Sequence, residues 1–434
     1  MKQVLATILI FVNILLLSAC DSGNNAENSS ESDIVLRPFD LKVGTKFTRL
    51  PANIFKAPTL EEVPIKLPAQ INNADAIWGA TGRDDEGNIY FGVSTHGIDK
   101  DIGNDSRTAY LYQYNPVTLE SVLQSDVITE LKRAGIYREG TGQNKLHSKI
   151  YQANDGYLYF SSFDEAGEDE GINPTWGGHL WRKKPHLLEW EHVLSTEEAL
   201  IAVNTNGRYV YTLGYWNHVL YQFDTQTQKT TRIVVGSVST HISRNFIVDE
   251  NGQVFVPYLK ENDYNELEVF LNHYDTNLRL IAAYPMTSYQ HNKIKNHHGI
   301  IGYTSMESGD IYFTTAEGGL YQLKLTQGNE DKLLYKGLMY ENTKSYTPSL
   351  FTFSGKGHIL SLGKVKKQGM QWAIYDLYSS TEIHFPVKTK LWRNLNFYGT
   401  LTKDNAGAFY IAGNQKVKGR KGNQPLLIKM YMSH

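Results

Sequence analysis

Asp85-Glu86-Gly87-Asn88-Ile89-Tyr90 is the first copy of a pattern that organises most of this chain. In each copy an apolar stretch leads into a polar turn with glycine, and an alternating aromatic or aliphatic strand follows. The positive φ that glycine tolerates suits such a tight hairpin turn. Six further copies lie at residues 154–159, 205–210, 250–255, 307–312, 355–360 and 405–410. We call the glycine of each turn its anchor glycine: Gly87, Gly156, Gly207, Gly252, Gly309, Gly357 and Gly407.

Successive anchor glycines are 69, 51, 45, 57, 48 and 50 residues apart. Such a period is typical of a four-stranded propeller blade with some long loops. Helical periodicity is scarce, and only residues 125–134 and 195–203 suggest short helices. We therefore predict an all-β fold, a seven-bladed β-propeller over residues 35–434, with a six- or eight-bladed ring as the alternative. Because the last copy lacks an outer strand, we expect residues 46–55 to supply it and close the ring.

The N-terminal residues have a different composition. Lys2 precedes an apolar run over residues 4–17, and Leu17-Ser18-Ala19-Cys20 ends it. This pattern predicts a lipoprotein signal peptide at residues 1–19, with Cys20 as the lipid-modified residue. The polar residues 20–34 are expected to form a flexible tether. We thus expect an exported protein that its lipid anchors to the bacterial cell envelope, in the periplasm or at the cell surface.

Composition narrows the class of partner. The formal net charge is −2, so no basic footprint for nucleic acid is present. The chain has 28 Tyr and 7 Trp, which suits β-structure with sugar-facing surfaces. Since Cys20 is the single cysteine, an internal disulfide is excluded. We expect a monomer whose partners are a ligand and, through the lipid, a membrane.

Propeller topology converts sequence position into geometry. The inner strand of a blade runs into the anchor turn and the second strand returns from it, so the start of the first and the end of the second meet at one face. Ligands usually bind there, at the channel mouth. Residues 7–12 before an anchor or 6–9 after it are therefore candidates. Those with suitable chemistry are His147, His241, Arg244, His297, His298, His96, Tyr215, Tyr258 and Lys364.

The chemistry of these candidates favours elimination over hydrolysis. A glycosidase needs two carboxylates flanking the bond, and few carboxylates lie near the predicted face, mainly Asp164 and Glu165, with Glu317 in a corresponding loop. Elimination from a uronic acid needs a cation to neutralise the carboxylate, a base for the C5 proton and an acid for O4. Arginine binds a carboxylate in a planar fork, and histidine suits either proton role near neutral pH.

Three stretches resemble a known family. They are Leu146-His147-Ser148-Lys149-Ile150, Pro174-Thr175-Trp176-Gly177-Gly178-His179-Leu180-Trp181 and His241-Ile242-Ser243-Arg244-Asn245-Phe246, together with the turn at residues 154–162. They resemble the propeller-fold ulvan lyases, polysaccharide lyases that cut a sulfated algal polysaccharide at a uronic acid. The general resemblance spans about residues 75–430.

The resemblance implies roles for particular residues. It implies proton transfer by His147 and by a tyrosine, with Tyr215 and Tyr258 both fitting, and carboxylate binding by Arg244. Substrate binding is expected at His96, His179, His241, His298 and Lys364. The chemistry requires no cofactor, although the sequence leaves room for a structural divalent metal. The alternative function is a non-catalytic propeller lipoprotein that binds glycans or scaffolds the envelope.

Overall fold

A computed structural model describes most of the chain. The described residues are 35–36, 47–52, 56–68, 71–98, 103–165, 177–215, 218–236, 243–287, 289, 299–325, 332–342, 345–353, 357–387, 395–400, 402–417 and 422–432. The predicted signal peptide, the tether and Cys20 lie outside them, as do His241, His297 and His298.

Seven antiparallel sheets follow one another along the chain, after three short strands β1 (Val35–Leu36), β2 (Thr48–Arg49) and β3 (Thr59–Glu62). Blade 1 contains β4 (Ala74–Ala76), β5 (Thr81–Arg83), β6 (Ile89–Thr95), β7 (Tyr110–Asn115) and β8 (Glu120–Asp126). Blade 2 contains β9 (Tyr151–Gln152), β10 (Leu158–Phe163), β11 (Gly178–Lys183) and β12 (Glu191–Thr196). Blade 3 contains β13 (Leu200–Thr205), β14 (Tyr209–Gly214), β15 (Val219–Asp224) and β16 (Lys229–Val234).

The other four blades repeat this order. Blade 4 contains β17 (Ile247–Val248), β18 (Val254–Glu261), β19 (Leu267–Tyr274) and β20 (Leu280–Pro285). Blade 5 contains β21 (Ile300–Ser305), β22 (Ile311–Thr315), β23 (Gly319–Lys324) and β24 (Lys332–Leu338). Blade 6 contains β25 (Ser345–Phe353), β26 (His358–Val365), β27 (Gly369–Asp376) and β28 (Thr381–Pro386). Blade 7 contains β29 (Asn396–Tyr398), β30 (Phe409–Lys416) and β31 (Asn423–Tyr431). The predicted seven-bladed propeller is confirmed.

The anchor turns occupy the positions that the sequence predicts. Each of the seven anchor glycines joins the first strand of its blade to the second and has a φ between 70° and 99°. Some are also packed against the next turn along the ring. A Cβ on Gly207 would lie 2.2 Å from Asn154, and one on Gly87 would lie 2.5 Å from Asn405. Glycine is therefore required there by both backbone conformation and space.

The hydrophobic core is divided among the interfaces between blades. Seven buried clusters exist in the described residues, one for each pair of adjacent blades, including blades 7 and 1. Inner strands consequently face apolar neighbours on both sides, and every residue of β6 is buried. The outermost strand β16 has five of its six residues exposed. This arrangement explains why β14, the second strand of blade 3, is almost entirely buried while β16, its last strand, is exposed.

The N-terminal strands attach to the outer edges of three blades. Strand β1 pairs in parallel with β20 of blade 4, and β2 pairs in parallel with β28 of blade 6. Strand β3 pairs antiparallel with β31 and completes blade 7. Closure from the N-terminal side is thus as expected, but the predicted segment, residues 46–55, is wrong. The closing strand packs on both faces of blade 7. Leu60 contacts the cluster between blades 6 and 7, and Val63 belongs to the cluster between blades 7 and 1.

Helices are short and lie outside the blades. Helix α1 (Val127–Arg133) follows β8, and Asp126 caps it by accepting a hydrogen bond from the Thr129 amide. Helix α2 (Met339–Asn342) follows β24. The helix expected at residues 195–203 is absent, because that stretch contains the end of β12 and most of β13.

Candidate active site

A cavity of about 410 Å³ opens at the start of the inner strands, within the size range of small-molecule sites. We call it the outer cavity. Its walls come from blades 1, 4, 6 and 7 and consist of Trp78, Arg244, Tyr346, Pro348, Lys364, Met370, Asn396, Phe397 and Tyr398. The predicted site residues Arg244 and Lys364 are therefore together in one cavity.

A much smaller space of about 30 Å³ continues the outer cavity into the channel. We call it the inner chamber. It shares Trp78, Arg244, Tyr346 and Tyr398 with the outer cavity and adds His147, Lys149, Ile201, Asn245, Ile301 and Gly399. His147 and Arg244 therefore line the same space, as predicted. Neither Asp nor Glu is among the described residues that line the two spaces.

Arg244 is the cation shared by both spaces. It precedes the short strand β17 at the start of blade 4. Its Nε atom is buried and has no hydrogen-bond partner within the described part of the chain. A buried N–H without an acceptor is costly, so this atom is suited to a ligand or a water molecule.

Two tyrosines accompany Arg244. Burial raises the pKa of Tyr346, and the positive charge of Arg244 opposes this rise. Burial also raises the pKa of Tyr398, with Asp75 and Tyr346 adding to the rise and Arg244 opposing it. Both phenols are consequently protonated near neutral pH, which makes them proton donors.

His147 is held among aromatic rings. Its ring centre lies 5.2 Å from that of Trp78 and 4.9 Å from that of Phe163, with an edge-on contact to Phe163. Trp78 in turn lies 4.4 Å from Tyr398 between ring centres. His147 is 9% exposed, so its imidazole is largely enclosed by packing, and it lines the inner chamber.

Lys149 lies two residues further along the same strand path. Its Nζ atom donates to Oδ1 of Asn245 at 2.6 Å and lies 5.1 Å from the ring centre of Tyr303. Burial lowers the pKa of Lys149 to about 8. Asn245 is fixed because its Nδ2 donates to the carbonyl oxygens of Ile300 and Ile301 at 2.9 and 3.0 Å.

A hydrogen bond crosses the channel near Lys149. The hydroxyl groups of Tyr151 and Tyr303 are hydrogen-bonded to each other. Because Tyr151 belongs to blade 2 and Tyr303 to blade 5, this bond joins opposite parts of the ring. It narrows the channel at the level of the Tyr303 ring, which Lys149 contacts.

The two tyrosines predicted from sequence lie elsewhere. Tyr215 follows the second strand of blade 3 and is buried in the hydrophobic cluster between blades 3 and 4. Tyr258 is on the second strand of blade 4 and contacts Gly236, since a Cβ there would lie 3.2 Å from its ring. Neither residue lines either space, whereas Lys364, next to the end of the second strand of blade 6, does. Tyr346 and Tyr398, on inner strands, replace them.

His96 and His179 also lie outside the two spaces. His96 is exposed, and its Nδ1 lies 2.8 Å from Oε1 of Glu165. That oxygen is 2.6 Å from Nζ of Lys145, which lies 5.0 Å from the Trp78 ring centre. Burial would raise the pKa of Glu165, but Lys145 and then His96 outweigh it and the pKa is lowered. His96 thus reaches the cavity wall only through two other side chains.

His179 is part of the packing of blade 2. Its Nδ1 lies 3.1 Å from Nε2 of His192 and 3.1 Å from the hydroxyl of Ser195. Burial, followed by the influence of His192, lowers the pKa of His179 to about 3. An uncharged, 1% exposed imidazole on the third strand does not contact a ligand in the channel.

Four residues of the site were missed, although the position rule applies to them. Trp78 is nine residues before Gly87, Lys149 seven before Gly156, Tyr346 eleven before Gly357 and Tyr398 nine before Gly407. All four fall in the range of 7–12 residues that selected His147 and Arg244. Extending the search evenly to tyrosine, tryptophan and lysine finds them.

The described residues give no sign of a metal site or a membrane span. No group of three or more His, Cys, Asp or Glu side chains in the described ranges could hold a metal ion. Of the helices in those ranges, none is long and apolar enough for a bilayer crossing. Most of the acidic run after Glu165 lies outside the described residues.

Comparison with known proteins supports the fold. The sequence matches no protein-family model and no curated protein. Among solved structures, a fungal alcohol oxidase of the AA5 family in complex with copper is similar with a TM-score of 0.53 and 11% identity, over 88% of this chain and 77% of that one. YCF48 bound to D1 peptide is similar with a TM-score of 0.51 and 10% identity, over 90% of this chain and 98% of that one. The propeller domain of Cps50 (Swd1) from Myceliophteria thermophila is similar with a TM-score of 0.51 and 9% identity, over 86% of this chain and 99% of that one. At such identities the likeness concerns the fold alone.

Proposed function

We propose that this protein is a polysaccharide lyase that cleaves a uronic-acid-containing, sulfated polysaccharide such as ulvan by β-elimination. The observation that carries this proposal is the pocket in which Arg244, His147, Tyr346 and Tyr398 converge with no carboxylate among the described residues that line it. A cationic pocket with proton donors suits an anionic sugar, whereas glycoside hydrolysis needs a pair of carboxylates.

Each step of the elimination can be given to a residue. Arg244 pairs with the C6 carboxylate and stabilises the negative charge that develops at C5. His147 removes the C5 proton, and the C4–O4 bond breaks as the C4=C5 double bond forms. Tyr346 or Tyr398 donates a proton to the departing O4, since burial keeps both phenols protonated. No cofactor enters this sequence.

The outer cavity suits a sugar ring. The Trp78 and Tyr398 rings form a continuous aromatic wall, and aromatic faces pack well against pyranose rings. Lys364, which also lines the outer cavity, offers a point charge for a sulfate group. The Tyr151–Tyr303 bond crosses the channel, so we expect the polymer to enter and its products to leave through the mouth of the outer cavity.

The lipid anchor at Cys20 complements this function. An exported, membrane-attached lyase acts on a polymer too large to cross the envelope, and the fragments are released next to the cell. We therefore propose that the protein is exported, anchored to the cell envelope by its lipid, and monomeric.

The decisive experiment is to incubate the purified chain with ulvan, polygalacturonate and a neutral glucan, and to follow ultraviolet absorbance. An unsaturated uronate absorbs and appears only on elimination. We expect the wild type to show elimination activity on a uronate polymer and Arg244→Ala to lose that activity. Binding of ulvan without any absorbance change favours the alternative, a glycan-binding propeller lipoprotein.

A further inference from the structure

We infer that the inner chamber is a carboxylate-selective subsite in which Lys149 and Trp78, together with Arg244, bind a planar anionic group and exclude a sulfate ester. The inference rests on the proposed function only for the source of the carboxylate, a uronate. It assigns to Lys149 and Trp78 a role in specificity.

The size of the chamber limits what can enter. About 30 Å³ has room for one or two water-sized groups and not for a sugar ring. A carboxylate projects from a ring as a flat group of two oxygen atoms. A sulfate ester presents three terminal oxygens around a tetrahedral sulfur and needs more space. A sugar held in the outer cavity can thus reach into the chamber with its carboxylate alone.

The polar lining of the chamber favours an anion. Trp78 Nε1 and Arg244 Nε are buried, and neither has a hydrogen-bond partner among the described residues. Lys149 uses one donor on Asn245 and retains further N–H groups. These donors require an acceptor, and none of the described lining residues is acidic. A small group with negative charge satisfies them best.

The chamber is also rigid. Asn245 connects Lys149 of blade 2 to the carbonyls of Ile300 and Ile301 in blade 5, and the Tyr151–Tyr303 bond lies below it. Trp78 is held from outside by Lys145. Fixed donors around a small space discriminate by size, because the walls cannot retreat to admit a larger anion. At neutral pH the Lys149 ammonium adds its charge, since its pKa is about 8.

The test is calorimetric titration of the purified full chain with acetate, acetamide and methyl sulfate at constant ionic strength. Acetamide has the shape of acetate without the charge. We expect acetate to bind at least tenfold more tightly than acetamide, and Lys149→Met and Trp78→Phe each to weaken acetate binding roughly tenfold, the scale of a hydrogen bond to a charged group. Methyl sulfate binding should respond to Lys364→Met and not to Lys149→Met.

A matched control is Lys183→Met. Lys183 is also buried with a pKa lowered to about 8 by burial, but it lies at the end of β11 between Gln124 and the Pro185 carbonyl, outside the channel. It should leave acetate binding within twofold. Lys149→Gln serves if Lys149→Met fails to fold, and Trp78→Phe tests the same chamber independently.

The outcomes separate the two proposals. Acetate affinity that is unchanged in the Lys149 and Trp78 variants, or methyl sulfate binding equally sensitive to Lys149, overturns the inference. Chamber-dependent acetate binding without elimination on any uronate polymer leaves the subsite standing and rejects the lyase. Elimination on a uronate polymer, together with acetate binding that does not depend on the chamber, supports the lyase and rejects the subsite.

Discussion

Nζ of Lys149 lies 2.6 Å from Oδ1 of Asn245, so a residue of blade 2 is bonded to the residue that follows Arg244 in blade 4. The bond joins side chains across the ring and holds the Asn245 side chain beside Arg244. The geometry of the site is thereby determined by contacts between blades that are not neighbours, in addition to the packing between adjacent blades.

Removal of the Arg244 guanidinium should abolish most of the elimination activity. Arg244→Ala leaves the uronate carboxylate unneutralised when charge develops at C5, so we expect the elimination rate to fall roughly 10²–10³-fold. Arg244→Lys should recover little, because a point charge does not reproduce two parallel hydrogen bonds. Initial rates of absorbance increase measure both variants. Near-wild-type rates in a folded Arg244→Ala protein remove this residue from the mechanism.

The histidine should contribute as a general base. His147→Ala is expected to lower kcat roughly 10²–10⁴-fold with a smaller change in KM. Far-ultraviolet circular dichroism checks that the propeller remains folded. An unchanged kcat assigns the base to another residue.

The phenols can be tested by single-oxygen deletions. Either Tyr346→Phe or Tyr398→Phe should reduce kcat at least tenfold, because one of the two donates the proton to O4. Tyr378→Phe is the control, since that side chain is 85% exposed on blade 6. Rates equal to the wild type in both cavity variants contradict a tyrosine acid.

Stability should depend on pH through Lys149. Burial lowers its folded pKa to about 8 from 10.5, so between these values the unfolded chain binds more protons and stability rises with pH. Relative to Lys149→Met, the wild type should therefore gain roughly 3 kcal/mol of unfolding free energy across this window. Loss of the bond to Asn245 in Lys149→Met changes the unfolding free energy by the same amount at every pH, so it does not alter the pH dependence. Denaturant titrations at several pH values measure it, and Lys260→Met, whose side chain is 48% exposed, should show no such trend.

The anchoring cysteine is testable in cells. Cys20→Ser should release the protein from membranes or block its processing, because the signal pattern predicts that this thiol accepts the lipid. Membrane fractionation of wild type and variant compares the two. A wild-type protein that is fully soluble and carries no lipid shows that the signal sequence was misread.

The fold was predictable because its signal is local. Each anchor turn is encoded within six residues, and seven such turns give seven blades whatever the loops between them. Arg244, His147 and Lys364 followed from position along the strands. The tyrosines did not, because Tyr215 is packed in the cluster between blades 3 and 4 and Tyr258 lies in the middle of β18, whereas Lys364 is next to the end of β26. The Lys149–Asn245 and Tyr151–Tyr303 contacts join opposite parts of the ring, and no local pattern encodes them.

The closing strand has a consequence for synthesis. Strand β3 pairs with β31, and the hydroxyl of Tyr431 donates to Glu61, 370 residues earlier in the chain. The ribosome therefore makes one partner of this pair among the first strands and the other at the end. Until the last strand emerges, β3 has an unpaired edge and blade 1 lacks its neighbour across the seam. Contacts so distant in sequence form slowly, so a chaperone that shields this edge while the chain folds should raise the yield of closed rings more than one that acts on any middle blade.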